Sequence, residues 1–312
     1  MLQEPLVSII VPFFNAENFL QEAIQSVFEQ SYSRWELLLI NDGSADLSSE
    51  IARKCASRCP AKVRYIEHPE HGNRGACASR NLGIGHSAGE YIALLDADDV
   101  WLPDKLKEQV AILSSHPNVG MVYGSTQYWK SWTGNAEDRQ ADHMPGLGVP
   151  TDAVINPPTL LTRFLQSKAP TPCPSDILLR TELAKKIGGF EETFRGIYQL
   201  FEDQVFVAKV CLAVPVFVSS HCWDKYRLHD DSCVAAVNRG GHKYRVGLFY
   251  LKWLSGYLAD HGVKNVEVWQ ALQKKKSRYR AAALSQWLGR ARKGIAKPGE
   301  WLHLFSGHRL PQ

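Results

Sequence analysis

The chain has 312 residues, 45% of them hydrophobic and 22% charged, which fits one large globular domain or a domain with an extension and excludes a disordered or low-complexity chain. No apolar run of about 18 residues is present, and no basic segment precedes an apolar stretch at the N-terminus, so neither a membrane-spanning helix nor a secretory leader is expected. The net charge of +4 hides an asymmetry: residues 1–239 hold 22 Lys and Arg against 29 Asp and Glu, whereas residues 240–312 hold 14 against 3. A basic end of this kind points to an anionic partner.

In chain order, Val7–Pro12 reads as a central strand, followed by a helical pattern of Phe19, Leu20, Ala23, Ile24, Val27 and Phe28 with Asn18 as a candidate N-cap. Trp35–Ile40 is a second strand ending in Asn41-Asp42-Gly43-Ser44, and residues 46–58 read as a helix. Val63–Glu67 is a third strand, and Asn73-Arg74-Gly75 opens a helix that runs to about Ser87. Tyr91–Leu95 is a fourth strand; Pro103 is placed to begin the next helix, and Val119–Gly124 makes a fifth strand. Strand and helix alternate through the first 125 residues, which predicts an α/β fold with a mainly parallel sheet flanked by helices. Residues 126–172 lose this rhythm and contain one short predicted helix, Leu160–Gln166, as a substrate loop would. Ser175–Leu179 reads as a strand, Thr181–Ile187 as a helix closed by Gly188-Gly189, and Val205–Leu212 as a helix. Val216–Val218 and Trp223–Leu228 read as strands. Two basic helices are predicted at about 243–260 and 265–292.

The seven cysteines contain no C-x-x-C pair, so neither a zinc site nor a disulfide framework is indicated, and a reducing cytoplasm is the expected location.

The chemistry is expected where the fourth strand ends in Asp96-Ala97-Asp98-Asp99. Carboxylates crowded together repel, and a hard divalent cation, Mg²⁺ or Mn²⁺, relieves that repulsion through oxygen ligands. The bland alternative is an acidic loop leading into a helix. Asn15, Asp42, Glu67 and Asp96 all fall at the carboxyl ends of predicted strands, where ligands of open α/β sheets bind.

Six pieces stand in order: Val7 to Asn15, Asn41-Asp42-Gly43-Ser44, Gly75 through Arg80-Asn81-Leu82-Gly83, Leu95-Asp96-Ala97-Asp98-Asp99, Glu202-Asp203, and Tyr226-Arg227-Leu228-His229 with Asp230-Asp231-Ser232. Together they resemble the inverting family 2 glycosyltransferases of bacterial polysaccharide and cell-envelope type, which have the GT-A fold. The resemblance covers residues 5–235, about three quarters of the chain, and leaves the basic end outside. It implies a GT-A domain at 1–239, with a nucleotide-sugar half at 1–125 and an acceptor half at 126–239, followed by a helical extension at 240–312. It implies transfer of a hexose-type sugar from a nucleotide sugar, UDP-linked by expectation, to a hydroxyl of a glycan or lipid-linked glycan.

The same resemblance implies roles. Pro12, Phe14 and Asn15 would line the nucleotide pocket, and Asp42 would accept from a uracil ring nitrogen. Arg80 and Asn81 would lie near the base or diphosphate, and Asp96 near the ribose or the metal shell. Asp98 would hold Mn²⁺ or Mg²⁺, with His229 completing the shell or touching the diphosphate. Asp203 would be the general base and Glu202 would orient the acceptor. Asp99 has two readings, an acceptor-side carboxylate or a cap for the helix at Pro103. Trp101 and Trp223 likewise stack on sugar rings or pack inside. Phe201 stands where the family often has Gly or Trp, which leaves the acceptor's shape open.

The basic end, with aromatics from Tyr244 to Leu258, Lys274-Lys275-Lys276, Arg278, Arg280, Trp287 and basic residues to Lys293, reads either as a peripheral contact with the inner face of a membrane or as a helical subdomain packed on the core. Nucleic acid is not an expected partner. The rival classes are a nucleotidyltransferase, which would want a basic Gly-rich loop where Phe13-Phe14-Asn15-Ala16 stands, a non-catalytic nucleotide-sugar-binding subunit, and a membrane-surface scaffold.

Overall fold

The apolar run at the N-terminus forms β1 (Val7–Phe13), hydrogen-bonded in parallel to β2 (Trp35–Asn41) on one side and β4 (Tyr91–Leu94) on the other. The computed structural model describes residues 4–292; the last part of the expected basic extension, Lys293 included, lies outside them. With β3 (Val63–Glu67), β5 (Val100–Trp101), β6 (Met121–Trp129), β8 (Leu178–Arg180) and β9 (Val216–Arg227), the sheet runs β3-β2-β1-β4-β8-β6-β9-β5, and β7 (Ala153–Ile155) pairs with β9.

Side chains alternate across this sheet, as strand geometry requires. Val7, Ile9 and Val11 of β1 and Leu37 and Leu39 of β2 face one layer, made by α1 (Leu20–Phe28), α2 (Ser48–Arg58) and α4 (Lys105–Ser115). Ile10, Leu38, Ile40, Ile92 and Leu94 face the other, which holds α3 (Ala76–His86), α5 (Thr159–Leu165), α6 (Thr181–Lys186) and α7 (Glu202–Ala213). Burial on both faces is why these strands read as unbroken apolar runs. Gly83 lets α3 lie directly on the sheet: a Cβ there would come within 2.5 Å of Ile10 Cγ2.

Three features differ from the sequence reading. β6 does not continue the parallel run beside β4, because β8 is inserted antiparallel to both. The two strands expected at 216–228 are one, and the polar break between them is absorbed as register irregularities opposite Gly124. At Gly124 a Cβ would meet the His221 carbonyl at 2.3 Å, so only Gly fits. The helix expected at Pro103 begins at Lys105, and α1 starts after Phe19 without a side-chain cap from Asn18.

The polypeptide after residue 230 is helical: α8 (Cys233–Arg239), α9 (Lys243–Asp260) and α10 (Val266–Arg292). Val246, Tyr250, Leu251, Leu254 and Leu258 of α9 and Val268, Ala271 and Leu272 of α10 enter the same core as Val205 and Phe206 of α7. At roughly 1.5–3 kcal/mol for a fully buried large apolar side chain, this face is spent on folding. Among the described residues no helix is long and apolar enough to cross a membrane.

Candidate active site

The rim is built from the carboxyl ends of β1, β2, β3 and β4. Residues 8, 10 and 12 of β1 face the β4 side, where Leu95 N–H donates to the Ile10 carbonyl at 3.1 Å. Beyond that bond β4 leaves the sheet, so Pro12, which has no N–H, sits where the ladder needs no donor. Phe14 is then half exposed. Asn15 takes a left-handed conformation, φ 48°, which Asn tolerates, and accepts from the Ala45 N–H at 2.8 Å while its own N–H donates to Ser44 Oγ at 3.1 Å. The β1 and β2 ends are thereby locked together.

Asp42 is buried, and its carboxylate accepts the backbone N–H groups of Arg74 at 2.7 Å and Gly75 at 3.0 Å. Gly75, at φ 90°, turns the chain so that both amides converge on Asp42 just before α3 begins. Glu67, at the end of β3, is occupied by Tyr65 and His71.

One turn into α3, Arg80 points inward at 3% exposure. Its guanidinium donates to Asp96 at 2.5 Å and, at a shorter separation, to Glu202 at the start of α7. Burial pushes the Asp96 and Glu202 carboxyls above the ordinary range, and the Arg80 charge opposes that rise. Its neighbour Asn81 faces elsewhere: its amide donates to the Phe190 carbonyl and Glu192 and accepts the Phe190 N–H, tying α3 to the segment after α6.

The three acids after β4 separate. Asp96 meets Arg80. Asp98, about one-third exposed, has Oδ2 at 2.9 Å from His229 Nε2, and His229 Nδ1 is buried without a partner. Asp99, buried, accepts from Ser175 Oγ at 2.5 Å and from the Arg227 N–H at 3.0 Å. Asp99 is therefore not a helix cap, since α4 starts later with Asp104 before it. Arg227 donates from Nε to the Asp98 carbonyl and from Nη2 to Glu22, while its guanidinium lies 5.0 Å from the ring of Phe19, 4.6 Å from Trp129 and 5.1 Å from Trp132. It fixes the backbone that carries Asp98.

Asp203 follows Glu202 at the start of α7 and accepts the Gln204 N–H at 2.7 Å. Burial, and then the neighbouring Glu202 charge, raise its pKa to about 7. Phe201 is stacked on Tyr250 of α9, with ring centroids 5.5 Å apart and planes at 3°, so the extension backs the segment that carries Glu202 and Asp203.

The Asp42 loop, Arg80, Asp96, Glu202 and Asp203 thus form a connected series, and Asp98 with His229 stands beside Asp96. Trp101 and Trp223 do not join it: both are buried, donating to the Ser175 carbonyl and to Glu108. Sequence reasoning missed Ser175, which donates to Asp99 and accepts the Asp96 N–H, and the buried set behind it. There Asp99, Cys173 and Asp224 bring ligand-type atoms within 4.8 Å of one another. Asp224 is fully buried, and burial lifts its pKa to about 7. Lys105, buried over the Trp101 ring, donates to Gln109 at 2.6 Å and is pushed down to about 8. Nothing in the residue types marked these positions.

Two solved structures share the architecture. One is the Staphylococcus aureus TarS fragment 1–349 in complex with UDP, with a TM-score of 0.61 and 19% identity over 88% of this chain and 72% of that one. The other is the Pyrobaculum calidifontis mannosyltransferase PcManGT in complex with GDP-Man and Mn²⁺, with a TM-score of 0.55 and 18% identity over 97% and 86%. At such identities the likeness speaks for the GT-A fold. In sequence, the chain is 33% identical over 124 residues to the Escherichia coli UDP-Glc:alpha-D-GlcNAc-diphosphoundecaprenol beta-1,3-glucosyltransferase WfgD, covering 40% of this chain and 47% of that one. It is 42% identical over 121 residues to an uncharacterized glycosyltransferase of Haemophilus influenzae, covering 39% and 47%. The matched segments are less than half of either relative. The family model for glycosyl transferase family 2 matches residues 8–188, from the first strand through the acidic rim and on to the end of α6, and on that match the chain belongs to glycosyl transferase family 2.

Proposed function

We propose that the protein is an inverting glycosyltransferase that moves a sugar from a UDP-linked donor to a hydroxyl of a glycan or lipid-linked glycan. The observation that carries this reading is Arg80 spanning from Asp96 to Glu202, because it joins the acidic end of β4 to the start of α7 and so holds the donor side of the crevice in register with Asp203. Asp203 removes the proton from the acceptor hydroxyl as that oxygen attacks the anomeric carbon opposite the departing nucleoside diphosphate. A pKa of about 7 suits a base that must be ionised yet able to take a proton near neutrality. Glu202, held by Arg80, stands beside it and positions the acceptor.

On the donor side, Pro12, Phe14 and Asn15 line the base pocket, Asp42 accepts from the uracil ring, Asn81 braces α3, and Asp96 faces the ribose. Asp98 and His229 offer an oxygen and an imidazole nitrogen at 2.9 Å, a donor pair suited to Mn²⁺ or Mg²⁺. The cation would supply positive charge to the leaving diphosphate. Support for a nucleotide-sugar donor comes from the UDP bound to TarS, the GDP-Man bound to PcManGT and the UDP-Glc named for WfgD. Residues 1–239 are read as the catalytic domain and 240–312 as an extension whose described part braces it, and the protein is read as cytoplasmic, with peripheral contact at the inner face of the membrane as the second reading.

The test is UDP affinity with and without Mn²⁺, together with transfer from a panel of UDP-sugars. Metal-dependent UDP binding with transfer lost in Asp203→Asn is expected. Transfer at the wild-type rate in that variant would remove Asp203 as the base.

A further inference from the structure

Away from the acidic rim, α5 and α10 border a cavity of about 740 Å³ that is open to solvent. Arg163 and Lys168 project from the α5 side, and Lys274 and Arg278, four residues apart on one face of α10, close it from the other. Among the described residues, none of these four side chains has a hydrogen-bond or ion-pair partner. Glu267 is, among the described residues, the one carboxylate in the wall. The wall itself is fixed: Lys275 donates from Nζ to the Phe164 carbonyl at 3.0 Å, and Ala271 and Leu272 enter the core beneath it.

Four cations around one concavity repel one another, and a cleft lined by one sign of charge concentrates ions of the opposite sign. Arginine's planar fork and lysine's point charge together match phosphate oxygens better than single carboxylates. We propose that this cavity is an anion site for a phosphate- or diphosphate-bearing ligand, separate from the donor site. The ligand's source is either a phospholipid headgroup or a soluble phosphate ester, and both present the same oxygens to the same four side chains.

The full chain is tested in two arms, both with metal chelated so that the acidic rim holds no cation. One arm measures co-sedimentation with phosphatidylcholine vesicles with and without phosphatidylglycerol. The other measures binding of inorganic pyrophosphate by calorimetry. The variants are Arg163→Gln/Lys274→Gln and Lys168→Gln/Arg278→Gln, and Mn²⁺-dependent UDP binding by each reports that it is folded. Loss of about fivefold in affinity per removed charge, steepening at low salt, is expected. Capture by anionic vesicles that falls in both variants assigns the headgroup source. Pyrophosphate binding that falls in both, without vesicle capture, assigns the soluble source. If neither probe binds, or if wild type and both variants bind alike, the site is overturned and the charge is a solvated face.

Discussion

The Arg80 guanidinium donates to the Asp96 carboxylate at 2.5 Å from a position almost wholly shielded from solvent, and its other terminal nitrogen serves Glu202. Removing that charge strands two inward-facing carboxylates. The variant Arg80→Gln should lose about 3–5 kcal/mol of stability, the usual cost of breaking a buried ionic cluster on one side. Arg80→Lys keeps the charge but not the fork, so it should recover part of the stability and little of the activity. Urea denaturation read beside transfer rates checks this; a glutamine variant with an unchanged midpoint would mean that the cluster does not organise the site.

Asp203 makes a prediction in pH. Burial and then Glu202 raise its pKa from 3.8 to about 7, so the fold binds this proton more tightly than the unfolded chain does. As pH rises from about 4 to about 7 the unfolded chain has lost the proton and the fold has not, so this group's contribution to stability falls across that window and is flat above it. Activity should move the other way, with kcat/KM climbing through about pH 7 as the base ionises. Asp203→Asn should abolish that limb and lower kcat by on the order of 10²–10⁴, with UDP binding intact. A wild-type profile flat between pH 5 and 8 would contradict the assignment.

The first half of the fold was legible because its strands are buried on both faces, so Val7–Pro12, Trp35–Ile40 and Tyr91–Leu95 stand out as apolar runs between helical patterns. β8 was harder to place: three residues carry little pattern, and nothing local says that Leu178–Arg180 separates β4 from β6. At the site, residue type located the acids but not their partners. Asp98 and Asp99 are adjacent and chemically identical, yet one faces His229 and the other is buried under Ser175. Arg80 could be placed on a helix, but its partner Glu202 lies 122 residues away, and such pairings follow from tertiary packing. The same holds for α9 and α10, whose bounds were expected closely: amphipathic spacing marks an apolar face without saying that it covers α7 rather than a lipid surface.

Metal dependence should divide along Asp98 and His229. With Mn²⁺ present, UDP should raise the apparent melting temperature of the wild type, because ligand binding to the native state shifts unfolding by mass action. Asp98→Ala should lose the Mn²⁺-dependent part of that shift, and His229→Ala should weaken the metal response by about tenfold or more. Asp99→Asn should behave differently: its carboxylate is occupied by Ser175 and the Arg227 amide, so the penalty should fall on stability. An Asp98→Ala protein with an unaltered Mn²⁺ response would place the cation elsewhere.

Asp42 carries two duties that one substitution can separate. Its carboxylate accepts the amides of Arg74 and Gly75, so it anchors the entry to α3, the helix that bears Arg80. Asp42→Asn keeps one acceptor oxygen and sets an amide group against backbone donors, which should cost roughly 1–3 kcal/mol. If the same carboxylate also accepts from a uracil ring, the asparagine variant should lose preference for UDP over CDP beyond any general loss of affinity, because cytosine has no imide N–H to offer. Serine at this position removes both duties and provides the reference for a purely structural effect. Affinities for the two nucleotides, measured at a temperature where every variant is folded, decide between anchor and reader: equal losses for both leave Asp42 as an anchor alone.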